Sequence, residues 1–157
     1  MRHLIRSVFI FILIFISAGT VYPAGLSSAA KETIIKKTPP ASREFIRQYL
    51  DFSDYYSSKE CLEYASKTNQ DKETLVYCNV FFNEDHGLTR SASNHLRDKA
   101  GEMKFSPQFR GVLSTYLMSS RKYEVKSCIQ YFEESMRNMS KGDQLSTQNI
   151  CKYFFQN

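Results

Sequence analysis

Tryptophan is absent from the 157 residues, glycine occurs six times and proline four times. No stretch alternates strictly between apolar and polar residues with β-branched side chains, so strands are not expected. Without Trp, the core and surface must be built on 10 Tyr and 12 Phe. The signatures of common catalytic sites are also missing. There is no H-E-x-x-H, no G-x-S-x-G, no Walker loop, no C-x-x-C and no EF-hand loop. Four cysteines at wide, irregular spacings do not form paired zinc knuckles. These absences point away from an enzyme and away from a resident metal or cofactor. No run of like charge is present either. Lysines and acids interleave, which argues against a nucleic-acid partner.

What is present begins with Arg2 and Arg6, then an uninterrupted apolar run from Val8 to Ile16, then the small residues Ser17, Ala18 and Gly19. A charged start, a short apolar core and a small-residue exit form a secretory signal peptide, read as residues 1–24. The core is shorter than the roughly 20 residues a membrane span needs, so no stable insertion is expected after cleavage. No cysteine lies near the exit, so no bacterial lipid anchor is expected. Without Arg2 and Arg6, 19 basic side chains face 16 acidic ones, a net charge of +3. Residues 25–41 are rich in Ser, Ala, Lys and Thr and end at Pro39-Pro40. They read as a flexible leader before a single helical domain at 42–157. Within the leader, Thr33-Ile34-Ile35 is too short for a strand.

One pattern occurs twice. Tyr56 to Tyr64 and Tyr123 to Tyr131 both read Y-x-x-K-x-C-[LI]-x-Y. Each copy is followed by C-x-x-F-F, at Cys78 to Phe82 and Cys151 to Phe155, and preceded by Ser-x-x-Phe, at Ser42 and Ser106. The chain is therefore read as an internal duplication, with units at about 42–86 and 106–156 and a linking helix at 88–104. Four cysteines allow three pairings. A duplication favours one bridge within each unit, Cys61–Cys78 and Cys128–Cys151. Disulfides in turn suit an oxidising compartment.

The helical spacings are consistent with this reading. Ser42 is placed as an N-cap for a helix carrying Phe45, Ile46, Tyr49 and Leu50. A second helix runs from about Tyr55 to Lys67. Asp71 caps a third, and Gly87 is expected to end it as a left-handed residue. Leu88, Ala92, Leu96, Ala100 and Met103 define the linking helix. Ser106-Pro107 is a strong helix start, followed by Phe109, Val112, Leu113, Tyr116 and Leu117 on one face. The next helix holds Cys128, Ile129, Phe132 and Met136, residues 140–143 form a loop, and the last helix starts near Ser146 or Thr147. The expectation is an all-α fold of six or seven short helices with two disulfide-stapled hairpins.

Few residues suggest chemistry. His86 lies in Glu84-Asp85-His86-Gly87, where adjacent side chains do not face one another on a helix. His95, Asp98 and Glu102 share one side of the linking helix, and read as a solvated stripe that alternates with Arg97 and Lys99. Asn138-Met139-Ser140 is a glycosylation sequon, relevant only in a eukaryotic producer. The functional expectation is an exported, non-enzymatic protein that binds another protein, as a secreted virulence effector or inhibitor acting on a host protein does. A periplasmic small-ligand carrier or an immunity or envelope protein is the alternative. Secretion or periplasmic residence follows from either. The expected contact residues are Tyr55, Tyr56 and Tyr123, with the groove between the two units as the binding surface.

Overall fold

Local capping residues set most of the element starts. The structure, a computed structural model, describes residues 24–156. The expected signal segment up to residue 23 lies outside the described residues. Ser27 accepts from the Ala30 N–H and opens α1, Ser28–Ile35. Pro40 begins α2, Pro40–Phe52, at a position where a proline's missing N–H costs nothing. Ser57 caps α3, Ser58–Lys67, and Asp71 caps α4, Lys72–Phe81. Thr89 caps α5, Arg90–Glu102, and Ser106 caps α6, Pro107–Ser119. α7, Val125–Ser135, follows Glu124. Ser140 and Asp143 form a reciprocal capping box that opens α8, Lys141–Phe154. Two short strands complete the described chain: β1, Gly25–Leu26, pairs antiparallel with β2, Phe155–Gln156.

The fold is all-α, with eight helices among the described residues rather than six or seven. Both expected disulfides are present. Cys61 pairs with Cys78 across α3 and α4, and Cys128 with Cys151 across α7 and α8, at Cα separations of 5.5 and 5.7 Å. All four cysteines are fully buried.

The additional helix is α1, and it overturns the flexible leader at 25–41. Leu26, Ala30 and Ile34 recur every four residues and are fully buried, with Ile35 and Thr38 beside them. That spacing gives the segment one apolar stripe, and alanine is the best helix former. A composition rich in Ser, Ala and Lys hid this pattern. The folded body therefore includes residues 25–41, and α1 packs against α5.

Backbone bonds join the segments 25–86 and 87–156 in the same way at both ends. Leu26 lies opposite Phe155 in the small sheet, and Leu88 forms an antiparallel bridge to Phe82. Ser27 N–H donates to the Phe154 carbonyl and Thr89 N–H to the Phe81 carbonyl, each at 2.9 Å. The first residues of each four-helix segment thus pair with the last residues of the other. At an offset of 107 − 40 = 67, against 88 − 26 = 62 for Leu26 and Leu88, Pro40 aligns with Pro107, Tyr49 with Tyr116 and Ser53 with Ser120. The Ser-x-x-Phe match does not survive. Ser42 is no cap but a buried residue of α2 that bonds Thr74 at 3.1 Å. Gly87 does not end α4 either. It lies in the following loop at φ +84°, where its N–H donates to the Tyr56 carbonyl at 2.8 Å. Residues 141–143, expected in a loop, form the first turn of α8.

Candidate functional site

The centre of the molecule is a pair of tyrosines. Tyr56 and Tyr123 sit just ahead of α3 and α7, with ring centroids 5.4 Å apart. They are 1% and 0% exposed, which excludes both as surface contacts. Each hydroxyl accepts one hydrogen bond and donates one. Tyr56 accepts from Leu26 N–H and donates to the Leu50 carbonyl, both at 3.2 Å. Tyr123 accepts from Leu88 N–H at 3.0 Å and donates to the Leu117 carbonyl. The backbone reciprocates, since the Tyr56 carbonyl receives Gly87 N–H and the Tyr123 carbonyl receives Gly25 N–H. Phe82 stacks on Tyr56 and Phe155 on Tyr123, at 6.0 and 5.8 Å. Burial pushes both hydroxyls well above the usual tyrosine pKa, so they stay neutral. This pair locks the two halves together and has no surface left to offer a partner.

Tyr55 has a different environment. It is 38% exposed, and its hydroxyl donates to the Asp85 carbonyl at 2.6 Å. It borders an open groove of about 630 Å³ that also takes in Glu60, Glu63, Glu84, Asp85 and Arg121. A smaller neighbouring groove shares Glu60 and Glu63 and adds Phe52 and Tyr64. Phe52 stacks on Tyr64 at 4.9 Å yet leaves 67% of its own surface in water. The Glu60 carboxylate is fixed in place, because it accepts from the Tyr49 hydroxyl at 3.0 Å and the Ser53 hydroxyl at 2.6 Å. The Lys67 ammonium bonds Glu63 and holds its carboxyl below the usual range. The result is an aromatic strip in a mixed rim, where Glu60, Glu63, Glu84 and Asp85 exceed Lys59, Lys67 and Arg121 by one charge. His86 lies at the edge of this groove with its Nδ1 buried and unbonded.

The second half of the chain carries no such strip. Pro40 to Tyr64 and Pro107 to Tyr131 run in step without a gap, so Ser119 stands where Phe52 does and Lys122 where Tyr55 does. Ser127 and Gln130 likewise replace Glu60 and Glu63. Phe52 was not singled out from the sequence. The signal that would have found it is this comparison of the two halves.

A second opening of about 480 Å³ lies between α1 and α5, with Tyr153 of α8 at one side. It collects His95, Asp98 and Glu102, the face noted from the sequence, and sets Lys36 and Lys37 of the other half against them. Lys99 pairs with Glu102 at 2.7 Å. Partial burial lowers the His95 pKa; Lys37 adds to the effect and Asp98 opposes it. Among the described residues no group of three or more His, Cys, Asp or Glu could hold a metal ion. Asn138 of the sequon is exposed after α7, at φ +60°. Among the described residues no helix is long and apolar enough to cross a membrane.

The comparisons with known proteins return nothing: no family model, no curated protein and no solved structure matches this chain.

Proposed function

We propose that this is an exported, non-enzymatic protein that binds another protein through the Phe52–Tyr55–Tyr64 strip. A secreted virulence effector or inhibitor acting on a host protein is the form that best fits this reading. The carrying observation is the difference between equivalent positions. Ser119 and Lys122 satisfy the same backbone, so the fold does not require Phe52 or Tyr55. Leaving an aromatic ring mostly in water forgoes burial worth roughly 2 kcal/mol. Contact with a partner recovers it, and aromatic residues are enriched in such contacts. The rim of Glu60, Glu63, Glu84 and Asp85 favours a partner with a basic surface. Export rests on the N-terminal charge and apolar pattern together with two buried disulfides, which persist in an oxidising compartment.

The two halves, 25–86 and 87–156, are further proposed to descend from one duplicated four-helix unit arranged about an approximate two-fold axis. The reciprocal tyrosine bonds and the paired G-L-[ST] openings at Gly25 and Gly87 support this. In each unit the disulfide joins the third and fourth helices.

The test replaces Phe52 and Tyr55 by their counterparts, Phe52→Ser and Tyr55→Lys together. The variant is expected to fold, with a melting temperature within a few degrees of the parent. A photo-crosslinker at position 52 should label a basic protein in the surroundings of the producing cell, and label transfer should vanish in competition with the parent but not with the double variant. Equal competition by the two proteins refutes the reading, as does retention of the mature protein in the cytoplasm.

A further inference from the structure

We propose that the cleft between α1 and α5 binds a small organic anion through Lys36 and Lys37. The cleft is remote from the aromatic strip and uses different helices. Its three carboxylates already have cations. Glu102 holds Lys99 at 2.7 Å, Glu32 holds Arg47 at 3.2 Å, and Asp98 has Arg97 at 4.0 Å. Among the described residues neither Lys36 nor Lys37 takes part in an ion pair. Two ammonium groups therefore line one opening without a direct ion pair, with Glu102 near enough to feel both. Both lysines are exposed at the C-terminal end of α1, where the helix dipole favours cations, and an anion in the cleft can be shared between them.

The rest of the lining fits that ligand. His95 and Tyr153 bring a ring nitrogen and a phenol, both suited to hydrogen-bonding an oxyanion or the polar body attached to it. The lysines are flexible point charges rather than planar forks, which suits a carboxylate or phosphate without a fixed approach direction. A cleft of about 480 Å³ is within the usual range for a small-molecule site. The pocket also sits where the two halves depart from each other. With Gly25 set against Gly87, Thr33 falls opposite His95 and Lys36 opposite Asp98. The polar lining is therefore specific to this seam, while the buried residues Leu26, Ala30 and Ile34 match Leu88, Ala92 and Leu96.

Citrate and inorganic pyrophosphate serve as the probes, one a carboxylate and the other a phosphate, added to the full mature protein. Amide NMR shifts should be confined to 29–37 and 95–102, and the probe that binds identifies the anion class. The His95 ring, faced by Lys36, Lys37, Asp98, Lys99 and Glu102, should titrate at higher pH with the probe bound. Lys36→Gln with Lys37→Gln should weaken binding at least about tenfold, since each removes one full charge contact. Lys72→Gln with Lys126→Gln, on distant exposed surface, should leave affinity unchanged. The proposal fails if neither probe shifts these residues up to about 10 mM, a limit that corresponds to negligible affinity. It also fails if both double variants lose affinity alike, which would mark diffuse charge attraction.

Discussion

Removing one hydroxyl from the central tyrosine pair is the sharpest test of how the start of each half is anchored to its own core. In Tyr56→Phe the ring and its stacking on Phe82 remain, while the Leu50 carbonyl loses its donor and Leu26 N–H loses its acceptor. Both backbone groups are buried. Each orphaned buried partner costs about 1–3 kcal/mol, toward the low end here because both bonds are long at 3.2 Å. The expected loss is therefore roughly 2–3 kcal/mol. Tyr123→Phe should cost less, roughly 1–2 kcal/mol. Leu88 N–H also donates to the Leu117 carbonyl at 2.9 Å, so neither group is left alone. At about 4 °C per kcal/mol for a chain of this size, the melting points should fall by about 8–12 and 4–8 °C. Because the rings lie 5.4 Å apart, the double variant should depart from additivity. Urea unfolding followed by far-UV circular dichroism gives the free energies, with Tyr55→Phe as the exposed control. A Tyr56→Phe protein within about 0.5 kcal/mol of the parent, the usual scatter for surface changes, would refute the reasoning. So would a Tyr55→Phe loss of equal size.

Two further outcomes follow from local geometry. At Gly87 an added Cβ would sit 2.6 Å from the Met118 carbonyl oxygen, at φ +84°, so Gly87→Ala should cost roughly 2–4 kcal/mol. Gly111, inside α6 with open space around it, should instead gain about 0.5–1 kcal/mol on Gly111→Ala, and equal melting points for the two variants would contradict the backbone assignment. His95 titrates below its ordinary value in the folded state because of partial burial, with Lys37 adding to the shift. The unfolded chain then binds more protons as pH falls through about 6.5, so acidification from pH 7.5 toward 5.5 should lower stability. His95→Gln should flatten that slope, and an unchanged slope would assign it to another group.

Much of this fold was legible because the chain states its pattern twice. The cysteine pairing and the starts at Asp71 and Ser106 came from spacing and capping chemistry, and the structure has them as expected. The failures share a cause. Residues 25–41 were judged by composition, which cannot distinguish a solvated tail from a helix with a narrow apolar stripe. The stripe was present as Leu26, Ala30 and Ile34, and the match of Gly25-Leu26-Ser27 to Gly87-Leu88-Thr89 would have exposed it. Tyr56 and Tyr123 were misplaced for a different reason. A tyrosine with a satisfied hydroxyl is a good core residue and one with a wet hydroxyl a good contact residue, and the sequence around both looks alike. What decides between them is whether a distant backbone donor arrives. Here the donors are Leu26 for Tyr56 and Leu88 for Tyr123, each distant in sequence but within the same half of the chain.

On the proposed duplication, the two halves serve as an internal control for function. Where the halves agree, the residue is explained by folding: the tyrosine pair, the cysteines, the paired phenylalanines, the two alanines at Ala30 and Ala92. Where they disagree on an exposed position, the scaffold has shown that it tolerates either residue. Phe52 against Ser119, Tyr55 against Lys122, and Lys36 against Asp98 are such positions. The first two put aromatic surface into water beside a mixed rim, and the third leaves an unpaired cation at the mouth of a cleft. Under the two proposals each arrangement is used in binding, and the two faces take opposite charges: a basic protein surface at the strip, a small anion at the seam. Substituting each residue by its own counterpart therefore separates binding from folding more cleanly than alanine, since the counterpart already fits this backbone.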